Sequence, residues 1–303
     1  MGHSHSPVRA GMTRIEVAVV LVVISMAIAI LIPLVQSARE SARRKMCQSN
    51  LKAIGLSLRE YSSVFERFPS GWIGVNDKHK QPDVFGMNGM GWGCYLLTAI
   101  DHTPLFSQID FRHHLADPLN DAFREGKRWH APEAFYCPSE PQLKPWSTEW
   151  NGRSVVMPSS SYVGVFGSQG LSNCGSRPES LCRGDGAFYQ NSSVRWKDIT
   201  NGTSNTFAIG ERRTQHLDPG KWYSTWAGII PGDQYGPERL LGAGDHVPGT
   251  TSGGLADFSS HHDHGAQFLA FDGSVRFVSR NIELSVYRSL LTIDSKSISN
   301  RDD

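Results

Sequence analysis

The sequence predicts an α+β fold: a long N-terminal helix packed on a globular head rich in antiparallel sheet. Three observations carry this. An uncharged apolar run, Val17 to Val35, leads into residues with helical periodicity as far as Phe65. Most of the 30 glycines and 16 prolines fall after residue 69, where they favour short strands and turns over long helices. Near the C-terminus two strand-like runs flank Asp272-Gly273, a pattern that reads as a tight two-residue hairpin.

The apolar run comes first. Its 19 residues would span about 29 Å as a helix, close to the hydrocarbon thickness of a bilayer. A core helix of that length normally carries a polar face, and this one has none. A secretory signal would need a small-residue cleavage site after the run, and Gln36-Ser37-Ala38 is a poor one. Glu16 lies at the edge of the span, where a carboxylate is expensive in lipid and is usually functional. The basic residues Arg39, Arg43, Arg44 and Lys45 follow the span, against Arg9 and Arg14 before it. Charge alone therefore argues for the C-terminal side inside. The helix should continue: Cys47, Leu51, Ile54, Leu58, Tyr61 and Phe65 form one apolar stripe, ending before Pro69-Ser70-Gly71.

The head reads as short elements. Gly91 to Ile100 suggests a short apolar helix, Phe135 to Ser139 a strand ending in a turn, and Ser160 to Gly167 a strand. Asn201-Gly202 is a turn signal, and Phe207 to Arg212 is a strand after it. Glu211 could serve as an acid or base, but pairing with Arg212 or Arg213 is the expected role. Ala266 to Phe271 and Ser274 to Val278 form the final hairpin. Ahead of it stand His261, His262, Asp263 and His264. These four are too close together to bind one ion from a regular element, and spacing identifies no second ligand cluster, so no metal is expected. His262 is expected instead to donate to a backbone carbonyl and seat the hairpin.

Composition excludes several functions. Lys+Arg total 30 and Asp+Glu 29, a net charge of +1, which gives no basic face for nucleic acid. No GxSxG, HExxH or paired-carboxylate spacing supports a hydrolase, so neither an enzyme nor a cofactor is expected. Five cysteines cannot pair completely within one chain. Cys174 and Cys182 could close a small loop in an oxidising compartment or stand as free thiols. The absence of CxxC argues against a cysteine zinc site. The eight tryptophans fit core packing better than a carbohydrate site.

The N-terminus resembles that of type IV prepilins. A short leader with a basic residue, Arg9, ends at Gly11, and Glu16 is the fifth residue counted from Met12. Pro33 falls at the twenty-second, where pilin-like helices often carry proline. Met12 and Arg14 depart from the usual Phe and apolar residue. The rest of the chain resembles a large family of prepilin-like proteins of unknown function abundant in planctomycete bacteria. Its Cys-x-x-Asn-Leu-Lys-x-Ile-Gly-Leu stretch is matched by Cys47, Asn50, Leu51, Lys52, Ile54, Gly55 and Leu56. Its Cys-Pro-Ser motif is matched by Cys137 to Ser139. Its Asp-Gly-Thr-Ser-Asn-Thr motif is matched by Asn201 to Thr206, with Asn201 for Asp. Its His, nine residues, Asp-Gly pattern is matched by His262, Asp272 and Gly273.

The resemblance implies a leader over 1–11, a transmembrane pilin-like helix over 12–35, its amphipathic continuation over 36–68, and a head over 69–303. It implies cleavage by a prepilin peptidase between Gly11 and Met12, and pairing of Glu16 with a neighbouring subunit's amino terminus. The implied protein is a single-pass inner-membrane pseudopilin-like subunit of a type II secretion or type IV pilus-like system. Its partners are the peptidase, the bilayer and other pilin-like subunits, and its head is exported to the periplasm or cell surface. The same family was once grouped by name with solute-binding proteins. The alternative is therefore an anchored binder of a glycan or other solute.

Overall fold

The computed structural model describes residues 13–76, 78, 80–120, 132–141, 144–176, 180–217, 220–250 and 253–294. Gly11 and Met12 lie outside the described residues. One helix, α1, runs from Arg14 to Phe65. The chain divides into two compact units, one up to Arg44 and one from Lys45 on.

The first unit is helical through its described length. Thr13 caps it: the Glu16 amide donates to Thr13 Oγ1 at 3.3 Å, and the Thr13 amide donates to Glu16 Oε2 at 2.7 Å. This reciprocal capping box satisfies two of the amides a helix start leaves open. Glu16 thus has a local structural role that its position beside an apolar span did not reveal. The apolar side chains from Val17 to Val35 are exposed, and α1 is long and apolar enough to cross a membrane. Ser25 returns its hydroxyl proton to the Val22 carbonyl, keeping it satisfied within the helix. Pro33, inside the helix, has no N–H to give to the turn before it. Glu40 pairs with Arg43 at 2.7 Å and Arg44 at 3.5 Å.

The second unit begins with the amphipathic part of α1. Cys47, Leu51, Ile54 and Leu58 are buried, while Tyr61 is half-buried and Phe65 is exposed. The stripe therefore leaves the core one turn before the helix ends. The strands that follow are β1 (Trp72–Val75), β2 (Met87–Gly91), β3 (Trp146–Trp150), β4 (Arg153–Met157), β5 (Tyr162–Gly167), β6 (Phe207–Glu211), β7 (Gln215–Leu217), β8 (Gly220–Trp222), β9 (Leu241–Ala243), β10 (Gly265–Ala270) and β11 (Val275–Ser279). Helices α2 (Thr103–Phe106), α3 (Gly236–Leu240) and α4 (Leu284–Leu291) are short. The main sheet has the order β11-β10-β6-β5-β9. Its pairs are antiparallel except β5 with β9.

Residues of β5, β6 and β10 are buried throughout because both faces of the sheet are covered. Tyr162, Ile209 and Leu269 belong to the core that includes Cys47, Leu51 and Ile54 of α1. Val163, Val165, Phe207 and Phe268 join Tyr287 and Leu291 of α4 in the other. Gly55 marks a close approach between α1 and β10, since a Cβ there would stand 2.8 Å from Leu269 Cδ1. A bulge interrupts β6 against β10, where Ala270 faces Phe207 but Leu269 faces Ile209. Side chains two apart in a strand normally share a face. The extra residue lets Phe207 serve one core and Ile209 the other.

Three local expectations change. The segment around Cys137 is a 3₁₀ turn over Glu133–Phe135 with a turn after it, and not a strand. The run after Gly91 makes only a 3₁₀ turn, Cys94–Leu96, followed by further turns. The last hairpin is real, but its loop has three residues. Ala270 accepts from Gly273 and donates to Ser274, so Phe271, Asp272 and Gly273 form the connection. Gly273 ends it at φ +87°, the left-handed position of a hairpin closed by a bulge.

Candidate functional site

Four buried side chains from four distant parts of the sequence meet in the second unit. Cys47 comes from α1, Cys137 from the turn after the 3₁₀ segment, Glu211 from the end of β6, and His262 from the loop before β10. Cys47 and Cys137 are joined as a disulfide, with Cα atoms 5.1 Å apart. His262 Nε2 stands 3.3 Å from Cys47 Sγ, 3.6 Å from Cys137 Sγ and 3.8 Å from Glu211 Oε1. The four donor atoms all lie within 4.8 Å of one another.

Each member is held by its own neighbours. Asn50, one turn along α1 from Cys47, donates to the carbonyls of Tyr136 at 2.6 Å and Glu133 at 3.3 Å. That fastens the Cys137 turn to the helix. The Cys137 amide donates to Ser161 Oγ at 3.0 Å, and the Tyr162 hydroxyl donates to the Cys47 carbonyl at 3.3 Å. Burial, reinforced by the charge of Glu211, pushes the Tyr162 phenol well above its ordinary value and keeps that donor protonated. Glu211 Oε2 accepts the Gln267 amide of β10 at 2.9 Å, while Oε1 faces the imidazole. The Ser260 hydroxyl accepts the His262 amide at 3.1 Å.

This geometry corrects one expectation and separates the members of the histidine group. Glu211 does not pair with Arg212 as their adjacency suggested, because neighbouring strand residues point to opposite faces. The Arg212 guanidinium is instead buried among backbone carbonyls, reaching those of Asp257 at 3.0 Å, Leu241 at 2.7 Å, Ala256 at 2.9 Å and also that of Glu238. Burial draws its pKa down to about 10. The imidazole of His262 directs Nε2 at two sulfurs and a carboxylate. Of the His261-to-His264 group, only His262 joins the cluster. His261 Nε2 pairs with Glu140 Oε2 at 3.0 Å, and Asp263 and His264 are exposed. The second cysteine pair, Cys174–Cys182, is a disulfide, and Cys94 is the free buried thiol that an odd count requires.

The remaining motif residues gather at the other end of β10. Asn201 Nδ2 donates to the Thr292 carbonyl at 3.0 Å, and Gly202 turns the loop at φ +90°. Phe271 and Asp272 amides donate to the carbonyls of Thr206 and Thr203, so this loop clasps the hairpin tip. Asp272 Oδ1 accepts the Ser274 amide at 2.8 Å. Although desolvation opposes it, hydrogen bonding from Ser274 holds the Asp272 carboxyl below its ordinary value. His262 and Asp272-Gly273 therefore act at opposite ends of one strand. The sequence offered no sign of Glu140, Ser161, Tyr162 or Gln267 as supports. The only available hint of the disulfide was that both cysteine motifs of the resembled family recur here.

A head with a buried Cys-Cys-Glu-His constellation, on a chain carrying one helix apolar enough to cross a membrane, defines a class of protein with a candidate membrane anchor. The family model described as protein of unknown function (DUF1559) matches residues 36–285, and the chain belongs to that family. No curated protein and no solved structure matches it significantly.

Proposed function

We propose that the chain is a pseudopilin-like structural or assembly protein, anchored in the inner membrane by α1, with its head exported. A prepilin peptidase would cut between Gly11 and Met12, and Glu16 would pair with the amino terminus of a neighbouring subunit. The carrying observation is the pair of disulfides, Cys47–Cys137 and Cys174–Cys182. Such bonds persist mainly in oxidising compartments, which favours an exported head. This outweighs the basic residues after the span, since the positive-inside bias sets orientation only statistically. The prepilin-like leader and the uncharged run after Glu16 support the same reading.

N-terminal sequencing of protein extracted from membranes tests it. The mature chain should begin at Met12, with a methylated amine. A start near residue 38 would identify a secretory signal and remove the pilin-like anchor. One feature supports the solute-binding alternative: a cleft of about 410 Å³ bordered by Asp83, Phe85, Asp117 and Trp150. Aromatic faces beside carboxylates suit a sugar. Glycan binding by the full chain that disappears in Trp150→Ala would favour that assignment.

A further inference from the structure

The Cys47–Cys137 pair keeps company that a purely structural disulfide does not require. A disulfide is content among apolar side chains, and burying an imidazole and a carboxylate against it costs desolvation. Here His262 is 2% exposed and Glu211 2% exposed, and both aim donor atoms at the sulfurs or at each other. Two sulfurs and a carboxylate oxygen around Nε2 are all electron-pair donors, and a single N–H can serve only one of them well. A cation between the four would serve them all.

The distances from His262 suit such a cation. Zinc holds sulfur at about 2.3 Å and nitrogen or oxygen at about 2.0–2.2 Å, so the edges of its tetrahedron are about 3.3–3.8 Å. The three distances from His262 Nε2, at 3.3, 3.6 and 3.8 Å, fall on those edges. Ligand orientation is already set from outside, as metal sites require. Gln267 fixes Glu211 and Ser161 fixes the Cys137 backbone. A small cleft bordered by Cys137, Glu211, Ser259 and His261 adjoins the cluster.

We infer that Cys47, Cys137, Glu211 and His262 form a redox-gated site for a thiophilic divalent cation of the zinc class. In the oxidised form the S–S bond occupies both sulfurs and the site takes no metal. A dithiol reductant delivers two electrons and two protons, breaking the S–S bond to give two thiols and becoming a disulfide itself. The divalent ion then binds both sulfurs as thiolates, releasing those two protons, with Glu211 Oε1 and His262 Nε2 completing four ligands. A disulfide oxidant that takes back the two electrons re-forms the S–S bond and expels the ion. The site does not depend on the pilin-like reading, since none of its residues lies in the apolar span.

The test uses full-length chain in detergent, reduced with a phosphine that does not chelate, and cobalt(II) as the probe. Reduced protein should take up one cobalt with thiolate-to-cobalt charge-transfer absorption in the near ultraviolet, and zinc should displace it. Oxidised protein should give no such band. The band should survive Cys174→Ser with Cys182→Ser. Glu211→Gln and His262→Ala should each weaken cobalt binding roughly tenfold or more. Should those variants fail to fold, the wild-type chain decides alone: zinc added after reduction should protect Cys47 and Cys137, but not Cys174 and Cys182, from alkylation. A reduced chain that shows neither the band nor that protection overturns the site, as does a band undiminished in Cys47→Ser with Cys137→Ser.

Discussion

Burial makes the protonation of a polar side chain depend on its neighbours, and His114 illustrates the consequence. It is 6% exposed, its Nδ1 accepts the Ala116 amide at 3.1 Å, and its ring stacks on Trp150 with centroids 5.9 Å apart. Burial pulls its pKa down to about 4, with the charge of Asp117 opposing the shift. A protonated Nδ1 could not accept the Ala116 amide, so the folded state holds the ring neutral. The folded pKa lies below the unfolded one, and the unfolded chain therefore binds more protons between them. The stability this contributes is present above pH about 6.5 and is lost as pH falls toward 4, up to roughly 3 kcal/mol. Glu238, which burial pushes up to about 7, tilts the curve the other way between its unfolded value and 7. The His114 effect is thus read from a difference. Relative to wild type, His114→Gln should flatten the decline in melting temperature between pH 6.5 and 4. An identical slope in the variant would show that the ring takes up its proton as readily in the native state as in the unfolded one.

Element packing turns on two glycines that play opposite parts. Gly55 sits inside α1, where glycine weakens a helix, yet a side chain there meets Leu269 of β10 at 2.8 Å. Gly273 has open space around it and a φ of +87°. Gly55→Val should therefore destabilise the head by about 1–3 kcal/mol through overpacking, and Leu269→Ala in the same chain should recover part of that loss. Gly273→Ala should cost about 1 kcal/mol through backbone strain, with no second substitution nearby able to relieve it. Denaturant melts of the single and double variants form the cycle that separates the two causes. A Gly55→Val cost independent of residue 269 would place the close approach elsewhere. The same elements mark how far the sequence could be read. The hairpin was legible because Asp272-Gly273 acts locally, and the α1 stripe because helical spacing repeats. The loop of three residues in place of two depended on the pairing of Ala270 with Ser274, which local chemistry does not determine. The candidate site was legible only as separate motifs. Its members stand at 47, 137, 211 and 262, on four elements, and no spacing rule links residues that far apart. Reading by sequence neighbours grouped His261 to His264 and found no ligand set there, whereas the fold sends only His262 of the four into the core. The side of the sheet that Glu211 faces also depends on the bulge in β6, which falls between residues that all read as ordinary strand formers.

Across the whole molecule the apolar span and the disulfide-bearing head pose one question, which is whether copies of the chain assemble through the N-terminal helix. Glu16 is where the question can be decided, because it has two separable roles. As a cap it closes the start of α1 with Thr13, a bond set that glutamine can make equally well. As a charge it would pair with the amino terminus of a neighbouring subunit, since an ion at the edge of lipid needs a partner. Glu16→Gln keeps the cap and removes the charge, whereas Glu16→Ala removes the charge and the side-chain half of the cap, the bond to the Thr13 amide. Charge pairing between subunits predicts that both variants lose crosslinking between full-length chains in membranes. Their Cys47–Cys137 and Cys174–Cys182 disulfides should still form in both, because that packing lies in the unit from Lys45 on. Crosslinking that survives in Glu16→Gln but fails in Glu16→Ala would make Glu16 a helix cap alone. Crosslinking that survives in both would leave the pilin-like assembly without its central contact.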